Sequence, residues 1–120
     1  MATVLIADDD GDIRQAVRML LEACSFRILE ASSGREAVQM AMQENPDLIL
    51  LDWFMPGMDG RDLLAALRSH SGLSETPIIV MTGAEDVAIE VIQLGAQASV
   101  VKPFSTKEIA KKVQTLLRQT

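Results

Sequence analysis

One hundred and twenty residues carrying a net charge of −6 suffice for a single domain, residues 1–120, that buries a core without disulfides or structural metal. A single cysteine, Cys24, excludes an internal disulfide and a thiolate zinc cluster, and no apolar run reaches the roughly 18 residues of a membrane span. The acidic balance argues against nucleic-acid binding by this domain, and a free thiol without a secretory apolar region points to the cytoplasm.

Strand-like runs alternate with helical patterns along the whole chain. "TVLIADD", residues 3–9, is a short continuous apolar run that ends in acids, as a strand covered on both faces should look. Ile13, Val17, Leu20, Leu21 and Cys24 then form one helical stripe, which predicts a buried Cys24 thiol, with Asp12 as N-cap and Asp10 solvated. "FRILEA", residues 26–31, alternates and reads as an edge strand. A helix over 33–43 follows, with Ser33 and Glu36 at capping-box spacing and Asn45-Pro46 closing it.

"DLILLD", residues 47–52, is a second continuous run, and it ends on Asp52. A helix over 59–70 comes next, with His70, the one histidine, as an exposed residue at its end. "PIIVMT", residues 77–82, ends on Thr82, a helix over 85–94 stops before Gly95, and "ASVVK", residues 98–102, ends on Lys102. The last helix carries Ile109, Val113, Leu116 and Leu117 on one face, with Ser105 and Glu108 at capping-box spacing. Strand and helix thus alternate five times, which predicts an α/β doubly wound parallel sheet with helices on both faces.

Function in such sheets gathers at the carboxyl ends of the strands, and four of the five strands deliver polar groups there: Asp8-Asp9-Asp10, Asp52, Thr82 and Lys102. Strand two delivers only Glu30. Residues 1–62 hold twelve acids and five bases, whereas residues 99–120 hold one acid and five bases, so one acidic site and a separate basic surface are expected. Crowded carboxylates repel and raise one another's pKa unless a cation intervenes. A hard divalent ion such as Mg²⁺ resolves this with one or two carboxylates, a backbone carbonyl and waters. A metal, an ammonium and a hydroxyl around a carboxylate are what a phosphoryl group needs, and the carboxylate itself can become an acyl phosphate.

"LIADDD", "LLDWFMPGMDG", "IVMTGA" and "VVKPF", in this order and spacing, resemble the receiver domain of two-component response regulators over essentially the whole chain. The resemblance implies a flavodoxin-like strand order 2-1-3-4-5. It also implies Mg²⁺-dependent phosphoryl transfer onto Asp52 from a histidine kinase or a histidine phosphotransfer protein, with Mn²⁺ as an acceptable substitute. Asp9 matches the metal-ligand acid, Asp8 its partner, and Asp52 both phosphoacceptor and ligand. Phe54 sits where a backbone carbonyl meets the metal, Thr82 matches the phosphoryl-binding hydroxyl, Gly83 the small residue after it, and Lys102 the phosphoryl-pairing lysine. Pro103 follows in a bond that the family typically makes cis.

Three positions depart from the pattern. Ser99, three before the lysine, stands where the family usually has Tyr or Phe, which puts the usual coupling to the fourth-helix, fifth-helix surface in doubt. Phe54 and Ala84 form an apolar pair beside the path of an attacking water, so slow hydrolysis is expected.

Other classes fit less well. An aspartyl-phosphate phosphatase needs a second acid at position 54, a dinucleotide- or flavin-binding domain needs a glycine-rich loop after strand one, and a pseudo-receiver would lack the complete acid, threonine and lysine set. A receiver excised from a transcription factor, hybrid kinase or signalling enzyme is the alternative that the residues leave open.

Overall fold

The computed structural model describes residues 1–118. Five strands, β1 (Thr3–Ala7), β2 (Arg27–Ala31), β3 (Leu48–Asp52), β4 (Ile78–Thr82) and β5 (Ala98–Val101), form one parallel sheet. Their spatial order is 2-1-3-4-5, as expected. Every residue of β1, β3 and β4 is buried, because helices cover both faces. β2 lies at an edge and is buried only in part.

Alternation along the strands decides which helix meets which face. Val4, Ile6, Leu48, Leu50, Ile79 and Met81 pack against Val17 and Leu21 of α1 (Gly11–Ala23) and Ile109 and Val113 of α5 (Thr106–Arg118). Leu5, Ala7, Ile49, Leu51 and Val80 point the other way. They meet Ala37 and Ala41 of α2 (Gly34–Glu44), Leu63, Leu64 and Leu67 of α3 (Gly60–Ser69), and Val91 of α4 (Glu85–Gln93). The result is the doubly wound arrangement, two helices on one face and three on the other.

Local signals set the helix ends. The Ser33 hydroxyl accepts from Glu36 N at 3.2 Å while the Glu36 carboxylate accepts from Ser32 N at 2.8 Å, one residue outside the standard capping box. Ser105 Oγ accepts from Glu108 N at 3.1 Å. Asn45 closes α2 in the left-handed region, at φ 45°, a conformation that asparagine tolerates.

The first helix corrects one expectation. Asp10, not Asp12, is the N-cap of α1: its Oδ1 accepts from Asp12 N at 2.9 Å and Ile13 N at 3.4 Å. The helix starts at Gly11, which leaves Asp12 in the first turn, where its charge faces the positive end of the helix dipole. Two burial expectations also shift. Cys24 caps the C-terminus of α1 and is half-buried, because the helix ends one residue earlier, at Ala23. His70 caps α3 and is half-buried rather than exposed, its carbonyl accepting from Leu73 N at 2.9 Å.

Two small elements join this frame. Phe54–Met55 and Met58–Asp59 pair as an antiparallel ribbon, and Ser71–Leu73 form one 3₁₀ turn. The ribbon turns on Pro56-Gly57, with Gly57 at φ 88°, the conformation for which glycine is suited.

Candidate functional site

Register brings the polar strand ends together. Ala7 pairs with Leu51, so the residues that follow, Asp8 and Asp52, leave the sheet side by side. Asp52 pairs with Met81 and Thr82 with Val101, which sets Thr82 one strand over and Lys102 one strand further. The carboxylates of Asp8, Asp9 and Asp52 each present an oxygen within 4.8 Å of the others. Asp8 and Asp52 are buried, at 0% and 4% exposure, whereas Asp9 opens to solvent.

Lys102 enters from the far side. Its Nζ donates to Asp52 Oδ1 at 3.2 Å and lies 3.7 Å from Asp8 Oδ2. Asp8 Oδ1 accepts from Asp10 N at 2.9 Å, but its Oδ2 is buried without a hydrogen-bond partner. One ammonium therefore serves two buried carboxylates, which is too little. Burial pushes the Asp52 carboxyl up to about 6, the neighbouring Asp8 charge adds to this, and Lys102 opposes it.

The remaining groups frame the same edge. Thr82 is fully buried, and its Oγ1 accepts from Ala84 N at 3.2 Å, across Gly83. Backbone bonds fix the frame: Lys102 N donates to Thr82 O at 2.7 Å and Trp53 N to Met81 O at 2.9 Å. The Lys102–Pro103 peptide is cis. Trp53 is 6% exposed because it packs on Gly60, where an added Cβ would lie 2.6 Å from the indole ring. Phe54 instead turns its ring outward, at 63% exposure. A cavity of about 350 Å³ lies between Asp9, Trp53, Phe54, Met55 and Met58.

Asp8, Asp9, Asp52, Thr82 and Lys102 thus gather at one sheet edge, with Phe54 two residues beyond Asp52. An orphaned buried carboxylate oxygen beside two further carboxylates suits a hard divalent cation and oxygen ligands. Ser99 is half-buried, and its hydroxyl donates to Ala88 O in α4 at 2.9 Å.

Sequence reasoning left out one set of groups here. Arg14 Nε pairs with Glu30 Oε1 at 3.1 Å, and its Nη1 donates to Asp8 O at 2.6 Å. Arg18 Nη1 pairs with Glu30 Oε2 at 2.5 Å, and its Nε with Glu22 at 3.3 Å. The spacing Arg14, Arg18, Glu22 at i, i+4, i+8 was the available signal for one charged helix face.

Comparison with known proteins gives a consistent picture. The sequence profile described as "Response regulator receiver domain" matches residues 4–114. The transcriptional regulatory protein SrrA of Staphylococcus aureus is 44% identical over 119 residues, which cover 98% of this chain and 48% of that protein. The chain thus spans about half the length of the curated relatives it matches. Among solved structures, the receiver domain of the Francisella response regulator 1452 superimposes with a TM-score of 0.91 at 32% identity, covering 99% of this chain and 98% of that one. The Vibrio cholerae chemotaxis response regulator CheY4 gives 0.91 at 34% identity, over 97% and 98%.

Proposed function

The chain belongs to the response regulator receiver family of two-component signalling, and from that premise we propose that Asp52 is its phosphoacceptor. The observation that carries the reading is the placement of Asp52. It is the last residue of a rigid core strand, 4% exposed, with Lys102 Nζ at 3.2 Å and two more carboxylates beside it. The family is a signalling family rather than a catalytic one, so the only chemistry proposed is gain and loss of one phosphoryl group.

In the transfer, a carboxylate oxygen of Asp52 attacks the phosphorus of a phosphohistidine. The phosphorus–nitrogen bond breaks, its electron pair returns to the imidazole, and the ring takes up a proton. The product is an acyl phosphate on Asp52. Lys102 is placed to pair with a phosphoryl oxygen, and the Thr82 hydroxyl to donate to another once it leaves the Ala84 amide. Asp8, Asp9, Asp52 and the backbone carbonyl of Phe54 would hold Mg²⁺, with Mn²⁺ as a substitute. When bound, the ion offsets the negative charge of the carboxylates and of the phosphoryl group. The apolar pair Phe54 and Ala84 offers an attacking water no partner, which supports a long-lived phosphoryl group.

The donor is a histidine kinase or a histidine phosphotransfer protein, in the cytoplasm. Residues 1–120 act as one receiver unit, switching a partner-binding surface. A second reading places this unit within a larger regulator, and the match to SrrA over about half of that protein favours it.

Intact mass spectrometry after acetyl phosphate and Mg²⁺ tests the assignment. One phosphoryl mass is expected on the wild type and none on Asp52→Asn. Full labelling of the asparagine variant would sink it.

A further inference from the structure

Beyond the acids themselves, the loop that carries them is held by a side chain outside the transfer chemistry proposed above. We infer that Arg14 is a positioning residue for the metal ligands, acting through the Asp8–Asp9 peptide. The inference rests on the reading of Asp8, Asp9 and Asp52 as a Mg²⁺ site.

Asp8 is the first residue past β1. Its N–H still joins the sheet, donating to Ala31 O at 3.1 Å. Its carbonyl lies beyond the paired register of β1 with β2 and β3, which ends at Ala7, and the guanidinium of Arg14 fills the role of the missing strand at 2.6 Å. Because the peptide is planar, fixing the Asp8 carbonyl also fixes the Asp9 N–H on its opposite side. That in turn sets the direction in which the Asp9 side chain leaves the chain. Asp9 is the exposed acid of the three, and no group among the described residues hydrogen-bonds its carboxylate, so its aim depends on this peptide.

A bare cation beside a metal site would repel the metal. Here it is neutralised in place. Glu30 takes Arg14 on one oxygen and Arg18 on the other, while Arg18 also meets Glu22. Hydrogen bonding, first from Arg18 and then from Arg14, holds the Glu30 carboxyl below its usual range. Two arginines and two glutamates sum to no net charge. The clamp therefore contributes direction without opposing the ion, and the carboxyl end of β2 gains a purpose that its outlying position did not suggest.

The test is a MgCl₂ titration followed by fluorescence of Trp53, the sole tryptophan, which is bonded to Asp52 and lines the same cavity as Asp9. Arg14→Ala should bind about tenfold more weakly, the low end of what outer supporting groups cost metal sites. Arg14→Lys should recover most of that loss, since an ammonium can still donate to the Asp8 carbonyl. Arg18→Ala, which loses the same Glu30 partner but no loop contact, should stay within about twofold of wild type. Arg14→Ala within twofold of wild type, or Arg18→Ala losing as much as Arg14→Ala, would overturn the inference. Arg14→Gln, too short to reach the carbonyl, serves in place of the alanine variant should that one not fold. A wild type without saturable response, or an Asp9→Ala variant that binds normally, removes the metal-site reading and this inference with it. A response lost in Asp9→Ala but intact in Arg14→Ala removes the inference alone.

Discussion

At the amino ends of β4 and β5, a single arginine from the last turn of α3 is wrapped in acceptors. Arg68 donates from Nε and Nη2 to Gly95 O at 3.1 and 2.8 Å, and from Nη1 to Leu73 O at 2.8 Å and Thr76 O at 2.7 Å. Its Nη2 also reaches Gln97 Oε1 at 2.6 Å, which in turn accepts from Ile78 N at 2.8 Å. At the carboxyl ends of the same sheet, two buried carboxylates share one lysine and an oxygen of Asp8 has no hydrogen-bond partner. Both ends take charge out of water. One end closes its hydrogen bonds on itself and the other leaves them open to a ligand. Charge alone does not mark a functional edge; unmet hydrogen-bonding capacity does.

The contrast predicts opposite signs for charge removal at the two ends. The larger effect belongs to Arg68→Ala, which strands several loop carbonyls and loosens the start of β4 and β5. Removing one side of a partly buried charged network costs about 3 kcal/mol, so the urea midpoint should fall sharply. Burial lowers the Arg68 pKa, with Glu75 opposing the shift, which agrees with a cation held by dipoles more than by an ion pair. A loss under about 1 kcal/mol would show that water replaces the guanidinium without penalty.

At the open end the sign reverses. The Asp52 carboxyl rises from 3.8 to about 6 on folding, so between these values the folded chain binds the proton that the unfolded chain has released. Stability in the absence of metal therefore falls as pH rises from about 4 to about 6, and the penalty stays constant above. That rise corresponds to at most about 3 kcal/mol. Asp52→Asn should consequently melt above the wild type at pH 7.5, by about 2 kcal/mol, and the gap should close below pH 4. Thermal unfolding across that range decides it. An asparagine variant less stable than wild type at neutral pH would make the carboxylate a structural group.

Much of this contrast was legible in the residues, though unequally. The open end announced itself because parallel strands bring residues after consecutive apolar runs to one edge, so Asp8, Asp9, Asp52, Thr82 and Lys102 could be placed without coordinates. The closed end could not be read, since all partners of Arg68 but Gln97 are backbone carbonyls, 5 to 27 residues away, and carbonyls leave no signature in sequence. Asp10 and Asp12 offered the same capping chemistry two residues apart, and only the start of α1 at Gly11 chose between them. The ribbon after Asp52 was different. Pro56-Gly57 has the proline-then-glycine order of a type II turn, yet the sequence reading assigns no element there, because two-residue strands are too short to show a period.

The smallest expected effect lies between the two ends, at Ser99, where most receivers carry an aromatic ring. Its hydroxyl donates to Ala88 O in the middle of α4, a carbonyl that helix geometry already pairs with the amide four residues on. Loss of this second bond leaves no acceptor orphaned, so Ser99→Ala should cost no more than about 1 kcal/mol. A ring here would transfer a large apolar area when Thr82 moves, whereas serine has almost none to transfer. A ligand shifts a conformational equilibrium only by such differences. Phosphorylation, mimicked by beryllofluoride with Mg²⁺, should therefore alter hydrogen exchange mainly in the loop of Gly83 to Asp86 and around Trp53 and Phe54. Residues 87–94 and 107–117 should change little, in wild type and in Ser99→Ala alike. Strong new protection spread along both helices, unchanged by Ser99→Ala, would mean that the open end reaches the helix surface through other residues. The serine would then be a bystander to the switch.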